Sequence, residues 1–257
     1  MSQELVLTRI HAGIAEIRLN RPNRHNALVP ALLDALLKAL DDVRADEPRA
    51  VVLAAQGRSF SSGGDVAGFS SVPRPERRAY ARHVVGALNE VILTLLQLPC
   101  PTIAAVQGLV TGGSAGLVLA CDLAVGGPDT SFAPWYTAVG FSPDGGWTTL
   151  MPERIGRARA LSVQLLNERL EAPEAARLGL LHQMAPDTGS VLPLAHQIAT
   201  RMAAGRPGSV RHTLEQVRPD PQTVAAGLAR ELQHFLEQID TDEAARGMQE
   251  FLGLKRR

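Results

Sequence analysis

Apolar and polar positions along the chain change period so that strands alternate with helices. Leu5–Ile10 and Ile14–Leu19 are short alternating runs joined by His11-Ala12-Gly13, which predicts a β-hairpin. Across Pro30–Arg44 the period lengthens, and Leu32, Leu33, Leu36, Leu37, Leu40 and Val43 fall at helical spacing. Ala50–Ala55 is a continuous apolar run of strand length, followed by a Gly/Ser-rich loop over Gln56–Asp65. Pro75–Leu98 predicts a second amphipathic helix, with Val84, Leu88, Val91, Ile92 and Leu95 on one stripe, and Thr102–Val106 a second buried strand. A glycine-rich turn and an apolar stretch from Ser114 to Cys121 come next. This order of elements implies an α/β core. From about Leu192 only helical periodicity remains, over His196–Ala204, Gly208–Val217, Val224–Ile239 and Thr241–Leu254. The expected organisation is an α/β core over 1–192 and a helical portion over 193–257, with Arg218-Pro219-Asp220-Pro221 a turn inside it.

Composition narrows the function classes. The 257 residues are 45% hydrophobic, enough for one large core. Lys+Arg and Asp+Glu balance at 26 each, so no global field recruits nucleic acid or an anionic membrane, and neither is an expected partner. Apolar stretches are interrupted before the ~20 residues that cross a bilayer. Met1-Ser2-Gln3-Glu4 lacks the features of a signal peptide, so a cytoplasmic protein is expected. Cys100 and Cys121 stand in apolar surroundings and read as free thiols. Seven scattered histidines show no ligand spacing, and no metal is expected.

Two segments share a design in which a strand runs into a glycine turn. They are Phe60-Ser61-Ser62-Gly63-Gly64-Asp65 and Gln107-Gly108-Leu109-Val110-Thr111-Gly112-Gly113-Ser114-Ala115-Gly116. Without Cβ atoms the backbone N–H groups can approach a ligand closely, and a helix beginning near Gly113 adds the positive end of its dipole. Such a pair can hold an oxygen that becomes anionic during reaction. Either turn alone reads first as a plain strand–helix connection. The second is neither a dinucleotide fingerprint nor a P-loop, because its spacing differs and no Gly-Lys-Ser/Thr follows.

Taken together with Leu19-Asn20-Arg21-Pro22, Asn26-Ala27-Leu28, Pro101 through Gly108, Cys121-Asp122, Pro143-Asp144-Gly145-Gly146 and Phe251 through Arg256, the chain resembles the crotonase (enoyl-CoA hydratase/isomerase) superfamily. The resemblance spans nearly the whole sequence. It implies a spiral of ββα units with a helical C-terminal trimerisation portion, and homotrimers often paired into homohexamers. It also implies an acyl-CoA thioester as substrate, with coenzyme A part of that substrate and no other cofactor. The thioester carbonyl would lie between the N–H groups of Gly64 and Gly113. Coenzyme A would run along Asn23, Arg24 and His25, with its adenine near the loop starting Asp65-Val66-Ala67. Phe251 and Lys255 of a neighbouring subunit would reach the adenine and the 3′-phosphate; by composition alone, Lys255-Arg256-Arg257 is a solvated tail.

Hydratases of this family use two glutamates to add water, and at those positions this chain has Gly116 and Tyr136. Glycine moves no proton, and tyrosine, with an ordinary pKa near ~10, is a poor base at neutral pH. Asp144, eight residues after Tyr136, matches an acidic position of ring-epoxide isomerases of phenylacetyl-CoA catabolism and of 4-chlorobenzoyl-CoA dehalogenases. The dehalogenase pattern also wants a histidine where Asn89 stands; His83 is in another register. One carboxylate suits moving a proton from one carbon to another, so an acyl-CoA isomerase with Asp144 as proton shuttle is expected. The other reading of Asp144 is the N-cap of a helix starting at Gly145. A hydratase with a non-standard acid/base and a non-catalytic CoA-thioester-binding protein remain the alternatives. Asp65 is expected to fix its loop and Asp122 to be structural. Trp135, Tyr136, Phe141 and Trp147 are either an apolar acyl pocket or core.

Overall fold

In a computed structural model describing residues 4–253, the strands and helices expected for the first half form. Val6–His11 (β1) and Ile14–Leu19 (β2) pair antiparallel, followed by Pro30–Ala45 (α1) and Ala50–Ala55 (β3). Val66–Ser71 (α2) and Arg74–Leu96 (α3) lead into Thr102–Val106 (β4), Leu109–Thr111 (β5) and Ala115–Leu119 (α4). Then come Leu123–Gly126 (β6), Ser131–Ala133 (β7), Tyr136–Val139 (α5), Met151–Ile155 (α6) and Arg157–Leu165 (α7). Leu170–Glu171 (β8), Ala172–Arg177 (α8) and Gln183–Met184 (β9) close the strand-bearing part. Val191–Ala203 (α9), Pro207–Val217 (α10), Pro221–Gln238 (α11) and Asp242–Phe251 (α12) complete the chain.

The main sheet has the order β1-β2-β3-β4-β6-β9, and a small sheet has the order β5-β7-β8. The pairs β4–β5 and β6–β7 each send their first strand to the main sheet and their second to the small one, which is the expected ββα repetition. From β2 onward the main-sheet neighbours are parallel. β3 is apolar throughout because both its faces are covered. Val51 and Leu53 face the core built with α1 and α3, whereas Ala50, Val52 and Ala54 pack with Ala195, Ile198 and Ala199 of α9. The α3 stripe of Val84, Leu88, Val91, Ile92 and Leu95 is buried as expected.

Some expectations need correction. α9 begins at Val191 rather than His196, because Pro193 is tolerated in a first turn. The boundary at 192 therefore falls inside a helix that roofs the main sheet, and it marks a change of secondary structure rather than a gap in the core. α11 likewise joins the main core through Val224, Leu228, Phe235 and Leu236. The Arg218–Pro221 break is anchored: the Arg218 guanidinium pairs with Asp122 at 2.7 Å and donates to the carbonyls of Leu96, Leu98 and Cys100. Asp122 also accepts from the Thr102 N–H and hydroxyl, the structural part expected of it. Both cysteines are free and buried. Among the described residues no helix is long and apolar enough to cross a membrane.

Candidate active site

The two glycine turns are laced together by Ser61. Its carbonyl accepts the Thr111 N–H and the Ser114 hydroxyl, each at 3.1 Å, and its N–H donates to Leu109. Its hydroxyl donates to Asn26 O and accepts the Gly63 N–H. Gly63 has φ +75°, and a Cβ there would lie 2.4 Å from the Thr111 carbonyl oxygen, so only glycine lets the turns meet this closely. Fully buried Asn26 steadies the preceding turn, accepting from Arg21 N–H and donating to the carbonyls of Gln56 and Ser59.

This lacing brings Gly64 and Gly113 onto one cavity of about 530 Å³. The Gly64 N–H has no acceptor among the described residues. Gly113 lies in the 3₁₀ turn Gly112–Ser114 that leads into α4, so its N–H precedes the first acceptor in the turn.

Asn23, Arg24, His25, Asp65, Val66, Ala67, Asp144 and Phe251 line the same cavity, so every expected site residue but one is gathered there. The exception, Lys255, lies outside the described residues. Two details differ from expectation. The segment after Asp65 is helix α2 rather than a loop, with Asp65 as its N-cap accepting from Gly68 N–H at 3.2 Å. Phe251, expected from a neighbouring subunit, closes the cavity of its own chain from the end of α12, edge-on to Trp135 at 6.0 Å. Asp65 fixes its loop as expected, and ion pairs with Arg21 at 3.2 Å and Arg24 at 3.5 Å occupy its carboxylate.

Asp144 caps no helix. Gly145 and Gly146 take φ +61° and +85°, which a right-handed helix excludes, and residues 145–150 form turns. Its carboxylate instead accepts the Tyr136 hydroxyl at 2.5 Å, and that hydroxyl also reaches the Asp144 carbonyl at 3.0 Å. Burial pushes the Asp144 carboxyl up to about 7; the Tyr136 hydrogen bond opposes this, and the nearby Glu231 carboxylate adds to it. Burial and the Asp144 charge together raise the Tyr136 hydroxyl well above its ordinary range, so it stays a donor. Tyr136, in one of the two glutamate positions, is thus committed to Asp144.

Gly116, in the other position, has no room for any side chain. A Cβ there would lie 2.3 Å from the Gly145 carbonyl oxygen and 2.5 Å from Ile92 Cδ1. Gly116→Ala is expected to cost about 3 kcal/mol through overpacking against backbone, lowering the melting temperature by roughly 5–10 °C. An unchanged melt would show that the turn after Asp144 can retreat and that a glutamate could be accommodated.

Two features escaped the sequence. Buried Glu231 of α11 accepts from the N–H groups of Gly146 and Thr148 and from the hydroxyls of Thr148 and Thr149, clamping the turn that carries Asp144. Phe69 and Phe235, meeting Phe141 at 5.7 and 5.3 Å, form an aromatic wall of the cavity. Of the aromatics weighed for an acyl pocket, Trp135, Tyr136 and Phe141 line it. Trp147 does not: it is fully buried behind the second glycine turn, with Nε1 donating to Gly112 O at 2.7 Å. Asn89 is buried and donates to Leu228 O of α11.

Comparison with known proteins bears on this cavity. A family model described as "Enoyl-CoA hydratase/isomerase" matches residues 9–256. A probable enoyl-CoA hydratase of Rhodobacter capsulatus is 36% identical over 191 residues, covering 73% of this chain and 71% of that protein. The 1,2-epoxyphenylacetyl-CoA isomerase of Escherichia coli is 28% identical over 236 residues, 90% of each chain. A crystal structure of an enoyl-CoA hydratase/isomerase from Xanthobacter autotrophicus superposes with a TM-score of 0.87 at 28% identity, covering 98% of this chain and 97% of that one.

Proposed function

We propose that this chain, which belongs to the enoyl-CoA hydratase/isomerase family, is an acyl-CoA isomerase that relocates a proton through Asp144. The supporting observation is the inventory of carboxylates lining the cavity. Among the described residues these are Asp65 and Asp144, and Asp65 is held by two arginines. That leaves one carboxylate able to take up and return a proton, with a carboxyl near 7 that is poised for both at neutral pH. In this reading the acyl-CoA carbonyl oxygen accepts from Gly64 and Gly113. Asp144 removes a proton beside the carbonyl, the electron pair moves into a thioester enolate, and Asp144, whose acquired proton exchanges with solvent, delivers a proton at a carbon farther along the acyl group. A Cβ built on Gly113 would lie 2.9 Å from Asp144 Oδ1, so base and donor flank one spot. Asn23, Arg24, His25, Val66 and Ala67 would carry the coenzyme A part, and the trimeric or hexameric assembly belongs to the same proposal.

Relatives named as hydratases favour a second reading, in which Asp144 alone activates a water. Incubation of 3-enoyl-CoA in D₂O, followed by mass spectrometry, separates the two. The expected product is 2-enoyl-CoA carrying solvent deuterium, with the enone absorbance of added 2-enoyl-CoA persisting. Loss of that absorbance would establish hydration instead. Tight acyl-CoA binding with neither change would leave a thioester-binding protein.

A further inference from the structure

Both donor N–H groups of the cavity belong to Gly–Gly peptides, which lack a Cβ on either side and so rotate more freely than other peptides. A trans peptide is planar, with its C=O and N–H pointing opposite ways, so whatever grips the carbonyl aims the N–H. In the Gly63–Gly64 peptide the carbonyl accepts the Leu28 N–H at 2.8 Å, a bond that no side-chain substitution removes. In the Gly112–Gly113 peptide the carbonyl receives part of the Ala115 N–H, which is shared between Gly112 O and Gly113 O. The side-chain donor to that carbonyl is the Trp147 indole at 2.7 Å.

We infer that Trp147 is the positioning residue of the carbonyl-binding site, holding the Gly112–Gly113 peptide so that the Gly113 N–H faces the cavity. The inference rests on reading Gly64 and Gly113 as carbonyl donors. Trp147 is fully buried and lines no part of the cavity, so it acts through the peptide and not by touching substrate. Gly112 and Gly113 line the cavity and Trp147 does not, and in a planar trans peptide a carbonyl turned to the indole points its N–H the other way. The indole is itself held, because the Glu231 carboxylate grips the N–H groups on either side of it, those of Gly146 and Thr148, at 2.8 and 2.9 Å. One turn therefore carries the proton-shuttling carboxylate at Asp144 and the support of a donor at Trp147. Helix α11 approaches that turn so closely that a Cβ on Gly227 would lie 2.4 Å from Thr149 Cγ2.

The test compares the parent enzyme with Trp147→Phe, using 2-enoyl-CoA labelled with ¹³C at the thioester carbonyl. In the parent, the bound carbonyl stretch is expected at lower frequency than in free ligand. In Trp147→Phe it should return toward the free value, with kcat lowered about 10–100-fold, less than the ~10²–10³-fold cost of losing a donor outright. KM should stay within about three-fold, since apolar walls supply most of the contact. A variant retaining both the frequency shift and parental kcat would reduce Trp147 to packing while leaving the two-donor reading intact. Absence of any shift in the parent would remove the two-donor reading and this inference with it. If Trp147→Phe loses its cooperative melt, benzothienylalanine at 147, which replaces the N–H with sulfur at nearly the same volume, decides between the same outcomes.

Discussion

Asp144→Asn is expected to lower turnover about 10²–10⁴-fold while making the protein more stable above neutral pH. The first effect follows from removing the one cavity carboxylate, among the described residues, that no arginine holds; an amide can accept the Tyr136 hydroxyl but cannot shuttle a proton. The second follows from burial. The folded-state carboxyl titrates near 7 against an ordinary 3.8, so the fold prefers the protonated form. Below about pH 4 both folded and unfolded chains carry the proton, and Asp144 costs nothing. As pH rises the unfolded chain ionises first, stability falls, and the penalty is complete once pH passes the folded value near 7. At 1.36 kcal/mol per pH unit it reaches roughly 4 kcal/mol. The asparagine variant has no such loss. Urea unfolding of both proteins at pH 4 and pH 8 should show the difference between them growing by that order toward the variant's favour. Parental kcat/KM should rise with pH along a limb near 7, as the free enzyme gains its base. Wild-type turnover in the variant would end the shuttle assignment. A stability difference independent of pH would mean that Asp144 is not held in the environment described.

A buried carboxylate retained at such a cost points to function, and its position was legible in the sequence while its surroundings were not. Pro143-Asp144-Gly145-Gly146 stands out locally, but a helix cap and a catalytic acid share that signature. The choice turned on two positive φ angles, which Asp-Gly-Gly permits without dictating. Tyr136 and Asp144 are eight residues apart, yet their hydrogen bond depends on how α5 meets the following turn. That Gly64 and Gly113 share a cavity was readable because the two motifs ask only for a strand, a bare backbone and a turn. Trp147 reaches Gly112 across 35 residues and Glu231 reaches Gly146 across 85, distances at which composition and period carry nothing. Glu231 did leave a trace: it lies between Leu228 and Phe235 on the buried stripe of α11, where a lone carboxylate calls for partners. The strands of the small sheet are two or three residues long, too short for alternation to register. Helix α2 is six residues with a glycine inside, and its cap, Asp65, reads equally as a loop residue.

Gly64→Pro is expected to cut kcat about 10²–10³-fold with the fold retained, because it deletes one of the two proposed carbonyl donors. Gly64 is a cleaner place to test the donor pair than Gly113. A side chain at 113 would press on Leu88 Cδ2 at 2.7 Å and Asp144 Oδ1 at 2.9 Å, so any loss there would mix a missing N–H with a displaced base. At Gly64 the nearest atom to a new Cβ is the edge of Phe69 at 3.2 Å, and φ is not in the left-handed region. The Gly63 carbonyl stays bonded to Leu28 N–H, which keeps the turn in place. Gly64→Ala is the matched control: it adds the Cβ while keeping the N–H, and its turnover should stay within about ten-fold of the parent. The proline variant should therefore fall well below the alanine variant in kcat, while circular dichroism and melting stay close between them. Equal activity in the two would show that the Gly64 N–H takes no part in the reaction, whatever Asp144 does. A drop confined to KM would show that the peptide binds ground state and transition state alike. A drop in kcat is the mark of a donor whose hydrogen bond strengthens as negative charge gathers on the carbonyl oxygen, the behaviour that the proposed pair of amides requires.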